Sequence, residues 1–315
     1  WQFPLVYLAC SRLGAVINPL MHIFRERELS FMLKHGEAKV LIVPKVFRGF
    51  DHEAMARGLK PQLPALKHIV VVGGDGADDF DALLTQPAWE QEADAKNILT
   101  RNRPGPDDIT QLIYTSGTTG EPKGVMHSAN TVMANIIPYA ERLKLGRDDV
   151  VLMASPMAHQ TGFMYGLMMP IMLRASAVLQ DVWDAKKAVE LIRNEGVSFT
   201  MASTPFLTDL TKTVAETAQP VPTLKTFLCA GAPIPGPLVE QARKTLGTKI
   251  VSAWGMTENG AVTLIKLDDD EERAFTTDGC ALPGVELKVI DFDGKGVSKA
   301  DASRVNLTAS GIDVQ

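Results

Sequence analysis

The sequence predicts an α/β fold, and three observations carry that prediction. Short apolar runs rich in β-branched residues recur along the chain, helical patterns fill the intervals, and glycine or proline marks many junctions. Runs that are apolar on both faces suit parallel strands covered by helices on either side. Strand–helix alternation at this spacing is the pattern of a wound sheet. The 315 residues leave room for about two folding units and a sizeable core.

Strands are expected at 39–43, 68–72, 111–115, 150–154, 176–180, 198–202, 225–230 and 249–253. Asp184 is the expected N-cap of a helix over 185–195, because its carboxylate can accept from the free N–H groups of the first turn. Gly196 is its stop, and Ala188, Leu191 and Ile192 form its apolar stripe. Thr204-Pro205 starts another helix, since proline at the first helical position loses no needed hydrogen bond. A third is expected over 237–246, closed by Gly247. After Pro283-Gly284 the pattern changes. Residues 285–291 alternate like a half-exposed strand, Asp293-Gly294 suits a turn, and 304–308 suits a second strand.

Composition excludes several classes. Apolar residues make up 45% and charged residues 22%, which is not a disordered chain. A net charge of −5 argues against nucleic acid or an anionic membrane as the main partner. The three cysteines, Cys10, Cys229 and Cys280, are far apart and form no CxxC pair. They suit a reducing cytoplasm rather than a disulfide or zinc framework. Residues 150–173 carry no formal charge and are long enough to span a bilayer, but Pro156, His159, Gln160 and Pro170 interrupt them. A buried strand followed by a buried helix is expected there, not a transmembrane segment. The acidic run 268–272 is read as a solvated loop, because contiguous carboxylates cannot all face one ion. The chain begins Trp1-Gln2-Phe3-Pro4, without an initiator methionine, and is expected to have more sequence before it.

The stretch that carries chemistry is Tyr114-Thr115-Ser116-Gly117-Thr118-Thr119-Gly120-Glu121-Pro122-Lys123-Gly124. A strand runs into six consecutive Thr, Ser and Gly residues, a lysine follows, and a helical pattern starts at Ala129. Glycines let successive N–H groups point into one concavity, hydroxyls add neutral donors, and a lysine adds a mobile positive charge. That is a phosphate cradle. It is not a Walker A loop, which needs Gly before the Lys and Ser or Thr after it; here Pro122 and Gly124 flank Lys123. Gly74-Asp75-Gly76 follows the strand at 68–72, but position 79 is Asp where a dinucleotide-binding GxGxxG needs its third Gly. It is read as a turn, and a nicotinamide oxidoreductase is set aside.

YTSGTTGEPKG resembles the phosphate-loop signature of the adenylate-forming superfamily. Other landmarks follow in the same order. Pro156-Met157-Ala158-His159-Gln160-Thr161-Gly162 resembles the motif that places a His at the acyl site. Ala230-Gly231-Ala232-Pro233 resembles the adenine-binding strand end, and Trp254-Gly255-Met256-Thr257-Glu258 resembles YGxTE with Trp for Tyr. Residues 8–19 also fit the family's early helix and strand, and the likeness leans toward CoA ligases of cyclohexanecarboxylate and short-to-medium-chain fatty acids. The resemblance implies a partial large N-terminal domain of two stacked α/β lobes, 1–175 and 176–284, with a small β subdomain beginning at 285–315.

It also implies a reaction: a carboxylic acid joins AMP with loss of pyrophosphate, then passes to the thiol of CoA. Thr115, Ser116, Gly117, Thr118, Thr119, Gly120 and Lys123 would hold the β- and γ-phosphates of ATP. Gly231, Ala232, Pro233, Trp254 and Gly255 would hold the adenine, and Thr257 the α-phosphate. Glu258 would bind Mg²⁺, a hard cation that prefers oxygen ligands. His159 would gate and position the acid, with Gly162, Phe163, Asn259 and Gly260, and Ser203 and Thr204 more loosely, lining its pocket. Lys123, His159, Thr257 and Glu258 are the expected catalytic group. Residues 160–166 contain no Asp or Glu to pair a substrate ammonium, so an uncharged aliphatic, alicyclic or aromatic acid is expected rather than an amino acid. His22, His35, His52, His68 and His127 are assigned no role, and a homodimer is left open. The family's Tyr/Ser-Thr-Gly-Asp motif, hinge and small C-terminal domain with its adenylation lysine are not in the sequence. The chain is therefore expected to belong to a longer parent, and by itself to hold ATP weakly. A non-catalytic nucleotide- or acyl-binding fragment is the alternative.

Overall fold

The computed structural model describes residues 1–86, 88–115, 121–288, 290 and 295–296. In chain order, the first part contains α1 (Gln2–Leu13), α2 (Glu26–His35), β1 (Val40–Pro44), β2 (Val46–Phe47), β3 (Phe50–Asp51), α3 (His52–Leu59) and β4 (His68–Val72). β1 and β4 pair in parallel, from Val40 opposite His68 to Pro44 opposite Val72. With α2 and α3 they enclose a small core of Leu29, Leu33, Leu41, Val43, Met55, Leu59, Ile69 and Val71.

Next come α4 (Ala95–Arg101) and an antiparallel hairpin of β5 (Ile109–Thr115) and β6 (Lys123–Ser128), which leads into α5 (Ala129–Arg142). Tyr114 ties the hairpin to the small unit. Its hydroxyl donates to the Met32 carbonyl at 3.2 Å, so the proton in its 2.8 Å bond with His35 must come from His35 Nδ1. Ser128 caps α5: its side chain accepts from Thr131 N–H, and Ser128 N–H donates to the Thr131 hydroxyl.

The larger part is built on one sheet. Its elements are β7 (Val150–Met153), α6 (Met169–Leu173), β8 (Ser176–Leu179), α7 (Ala185–Glu195), β9 (Phe199–Ala202), α8 (Thr204–Thr217), β10 (Thr226–Ala230), α9 (Gly236–Leu246), β11 (Lys249–Met256), β12 (Gly260–Leu264), α10 (Arg273–Thr276) and β13 (Cys280–Ala281). The strands run in the order β13-β12-β11-β10-β9-β7-β8 across seven positions. β8, β7, β9, β10 and β11 are parallel, while β12 and β13 are antiparallel additions at one edge. The crossovers through α7, α8 and α9 all advance in one direction, whereas β7 to β8 runs in the other. Right-handed crossovers therefore put α7–α9 on one face and the 160–173 helical segment on the other. α7, α8 and α9 pack side by side, and α5 packs on β12 and on the 162–168 turn.

Most expected strands are present with ends shifted by one or two residues, and Asp184, Gly196, Thr204-Pro205 and Gly247 mark the helix ends as read. Residues 150–173 divide into β7 and a helical segment with a π turn at Gly162–Met168, and among the described residues no helix is long and apolar enough to cross a membrane. Three differences matter. β11 continues to Met256, three residues further than expected, and so carries the Trp254-Gly255 motif itself. β6 and β12 were not anticipated; Lys123-Gly124-Val125-Met126-His127-Ser128 has weak strand propensity and is held by pairing with β5. Residues 285–288 form no strand, and the expected β region is represented by one antiparallel bridge, Ile290 to Gly296. The Asp293-Gly294 turn and the strand at 304–308 lie outside the described residues. The expected lobe boundary after residue 175 falls between β7 and β8, which pair in one sheet.

Gly162 is where the helical segment meets the loop after β7. A Cβ there would lie 2.2 Å from the Pro156 carbonyl oxygen, and backbone cannot move aside as a flexible side chain can. Gly162→Ala should lower stability by about 1–3 kcal/mol or more. Urea unfolding monitored by circular dichroism checks this, and an unchanged midpoint would refute the close approach.

Candidate active site

In a wound sheet, ligands bind outside the carboxyl ends of the strands, where successive connections diverge. Here that point lies between β7 and β9, since the chain leaves β7 toward one edge and β9 toward the other. Three expected motifs lie at the carboxyl ends of β7, β10 and β11, and the more loosely expected Ser203 and Thr204 follow β9 between them.

After β7 comes the loop with His159. Its N–H donates to Pro156 O at 2.9 Å, and its Nδ1 accepts from Thr161 N–H at 3.2 Å. An accepting Nδ1 leaves the proton on Nε2, so the exposed part of the ring offers a neutral N–H. Protein packed around the remainder lowers the His159 pKa below the ordinary histidine value by desolvation. After β9, Thr204 Oγ1 lies 3.4 Å from Pro233 O and 3.6 Å from Cys229 Sγ, linking the β9 and β10 ends. Burial pushes the Cys229 thiol up to about 11, so it is a protonated packing group and not a nucleophile. Gly231, Ala232 and Pro233 are exposed beyond β10.

β11 and β12 form a hairpin whose turn holds Thr257 and Glu258. The ladder is irregular between Trp254 and Gly255. A Cβ on Gly255 would lie 2.0 Å from Gly260 O, so this crossing admits only glycine. Asn259 closes the turn: its Oδ1 accepts from Met256 N–H, and its own N–H donates to Met256 O, both at 3.3 Å. Trp254 and Thr257 are half-buried and Glu258 is exposed. On the β5–β6 hairpin, Thr115 and Lys123 face each other across the mouth of the expected phosphate loop. Ser116, Gly117, Thr118, Thr119 and Gly120 lie outside the described residues.

Phe163 and Gly260, two of the expected substrate residues, are buried. Phe163 is fully buried, edge-to-face on Tyr7 with centroids 4.8 Å apart, so it belongs to the core. Gly260 is buried against α5, where a Cβ would lie 2.6 Å from Asn135 Oδ1. The reading from sequence missed three residues that hold the β11–β12 hairpin. Asn135 Nδ2 donates to Ala261 O at 2.7 Å, Tyr165 Oη donates to Asn135 Oδ1 at 2.7 Å, and Ala261 N–H donates to Tyr165 Oη at 2.8 Å. His127 Nε2 lies 2.8 Å from Thr257 O. Asn135 and Tyr165 had one visible signal, a polar group inside an apolar helical stripe; His127 had none.

A concavity of about 760 Å³ lies between α2 and α3 and shares no residue with these motifs. Its Asp51 is spent capping α3, with Oδ1 accepting from Ala54 N–H at 2.8 Å. Among the described residues no group of three or more His, Cys, Asp or Glu side chains could hold a metal by itself, the acidic run 268–272 included. Glu258 is a single exposed carboxylate, which suits Mg²⁺ held mainly by phosphate oxygens rather than by a protein cage.

Two predictions follow from this geometry. In an NMR titration, the His159 imidazole should titrate below about 6.5, its unfolded value. A folded-state pKa below the unfolded one means that the unfolded chain binds more protons between the two. The stabilising contribution is thus complete above about 6.5 and is lost as pH falls toward the folded value. A midpoint at or above 6.5 would contradict the desolvated, Nδ1-accepting ring. Tyr165→Phe should cost about 1–3 kcal/mol by urea unfolding, because Ala261 N–H and Asn135 Oδ1 lose their buried partner.

Residues 1–303 match the family described as AMP-binding enzyme. The chain is 33% identical over 308 residues to the medium-chain fatty-acid–CoA ligase of Escherichia coli (strain K12), covering 96% of this chain and 53% of that protein. It is 28% identical over 305 residues to the 2-hydroxy-7-methoxy-5-methyl-1-naphthoate–CoA ligase of Streptomyces carzinostaticus, covering 94% and 54%. The chain thus spans about half the length of these relatives. Its fold matches the N-terminal domain of FACL13 from Mycobacterium tuberculosis at TM-score 0.77, with 22% identity, covering 94% of this chain and 70% of that one. It matches O-succinylbenzoate coenzyme A synthetase from Bacillus subtilis, solved with ATP and magnesium, at TM-score 0.73, with 20% identity and 94% and 56% coverage. With a mixed α/β fold of this kind and a family match over nearly its whole length, the chain belongs to the AMP-binding enzyme family.

Proposed function

We propose that this chain is the nucleotide-binding part of an ATP-dependent acid–thiol ligase that acts on an uncharged carboxylic acid. The observation that carries the reading is the placement of three motifs at the carboxyl ends of β7, β10 and β11, with Lys123 on the hairpin tied to the β11–β12 turn. In the proposed reaction a carboxylate oxygen attacks the α-phosphorus of ATP, the bond to the β-phosphate breaks, and pyrophosphate leaves. The CoA thiol then attacks the acyl carbon and AMP departs.

Each residue has a physical task. Bringing a carboxylate up to a polyphosphate needs positive charge and fixed donors where negative charge gathers. Lys123 and the loop from Thr115 would supply these to the β- and γ-phosphates. Trp254, with Gly231 to Pro233, would hold the adenine, and Thr257 would donate to the α-phosphate. Mg²⁺ at Glu258, when bound, would neutralise phosphate charge. Neutral His159 would donate its Nε2–H toward the acid, orienting it without taking its proton. The absence of Asp and Glu from 160–173 leaves no partner for an ammonium, which supports an apolar acid, and the names of the ligase relatives agree. Three free cysteines support a reducing cytoplasm as the setting.

A second reading is a nucleotide-binding piece that cannot complete the reaction without the rest of a longer protein, and the half-length coverage of its relatives favours it. Carboxylate-dependent ATP–pyrophosphate exchange separates the two. The panel is acetate, butyrate, hexanoate, octanoate, cyclohexanecarboxylate, benzoate and leucine. Exchange with an apolar acid and none with leucine is the expected result for an active chain. Mg·ATP binding without exchange would favour the second reading, and efficient exchange with leucine would sink the apolar-acid assignment. Lys123→Ala should weaken Mg·ATP binding by about 10- to 100-fold in calorimetry, the loss of one charge-assisted phosphate contact.

A further inference from the structure

We propose that His127 is a positioning residue of the nucleotide site, fixing the Thr257–Glu258 turn at a set distance from Lys123; this rests on reading that turn as nucleotide-binding. Lys123 and His127 are on β6, four residues apart and on the same face of the strand. His127 is 1% exposed. Its Nε2 is 2.8 Å from the carbonyl oxygen of Thr257, 130 residues away. A carbonyl can only accept, so Nε2 carries a proton. Nδ1 lies 3.1 Å from Thr131 Oγ1, a hydroxyl that is also 3.1 Å from Ser128 O. Ser128 N–H in turn donates to Thr131 Oγ1 at 3.0 Å. The ring is therefore orientated from the first turn of α5, and its remaining N–H reaches across to the turn.

No other bond does this work. Among the described residues, this is the only hydrogen bond from Thr257 or Glu258 to the β5–β6 hairpin. The Asn259–Met256 pair closes the turn on itself, and the Asn135–Tyr165–Ala261 network holds the first part of β12, beyond it. Either would leave the turn able to swing relative to Lys123. One triphosphate must meet Lys123 at one end and the Thr257–Glu258 turn at the other, so their separation has to be fixed before it binds. An imidazole N–H can achieve this without requiring a charge, whereas a lysine or arginine in its place would bury one unpaired.

The test uses the full chain with His127→Leu, which removes the donor, and His127→Gln, whose amide can return an N–H to Thr257 O. Three quantities are measured: the urea midpoint, amide hydrogen exchange over 255–260 against 261–264, and Mg·ATP affinity by calorimetry. His127→Leu should speed exchange at 255–260 by at least about tenfold, leave 261–264 near the wild-type rate, and weaken Mg·ATP by about 10- to 100-fold, the scale of a displacement of about 1 Å. His127→Gln should restore both to within about threefold. Unchanged exchange at 255–260 in His127→Leu overturns the proposal. So does equal loosening of every segment in both variants, which would mark a general packing role. Should His127→Leu fail to fold, His127→Gln decides: it must fold with the turn protected and with near-wild-type affinity. A wild-type chain that binds no Mg·ATP while the exchange pattern holds would defeat the nucleotide reading and leave the tether established.

Discussion

Parallel strands cannot be joined by tight turns, and the larger part of this molecule is arranged around that restriction. Each of β8, β7, β9, β10 and β11 must be linked through a helix that crosses back over the sheet. The crossovers through α7, α8 and α9 share one handedness and one direction, and the β7 to β8 connection runs the opposite way. The result is a point at the strand ends where the connections part. Every chemically interesting segment of this part follows a strand at that edge: His159 after β7, Ser203-Thr204 after β9, Gly231-Ala232-Pro233 after β10, and Thr257-Glu258 after β11. The apolar strands supply stability, and the loops are free to carry polar groups that a sheet interior would not tolerate.

The hairpin turn at the end of β11 comes with an irregular ladder. Between Trp254 and Gly255 the register shifts, and both backbone groups of Ala261 are satisfied by side chains. Tyr165 and Asn135 supply these bonds from two helices on the same face of the sheet. Burial raises the Tyr165 hydroxyl pKa far above the ordinary tyrosine value, so it stays a protonated donor at every physiological pH. Tyr139 stacks on the ring at 4.2 Å between centroids and fixes its orientation. A polar network of this kind in an apolar core is stabilising only when every member has a partner, and each member named here has one. The same α5 begins beside the hairpin that carries Lys123 and His127. One helix therefore contacts β6, β12 and the helical segment after His159.

The small unit of β1, β4, α2 and α3 has a different role. Its core is separate from that of the large sheet. The β5–β6 hairpin rests on it through Tyr114, Met32 and His35, while His127 reaches the large sheet from the other end of β6. The hairpin thus links the small unit to the large sheet. The concavity between α2 and α3 lies on the small unit, and its Asp51 caps α3.

Local chemistry was enough for much of this. Strands such as His68–Val72 and Thr226–Ala230 announce themselves by apolar runs, and Asp184, Gly196 and Gly247 mark helix ends by their own conformational preferences. The dense Thr, Ser and Gly run before Lys123 speaks for phosphate without any structure, because its chemistry lies in the residues themselves. What the sequence could not determine depends on partners far along the chain. β6 and β12 are strands because β5 and β11 offer them ladders, not because their residues prefer that state. Phe163 follows a site motif closely, yet the packing of α1 turns its ring into the core against Tyr7. His127 looked like an idle histidine because its one informative contact spans 130 residues. Composition and spacing encode short-range preference, whereas hydrogen bonds between distant segments exist only once the sheet has brought their backbones together.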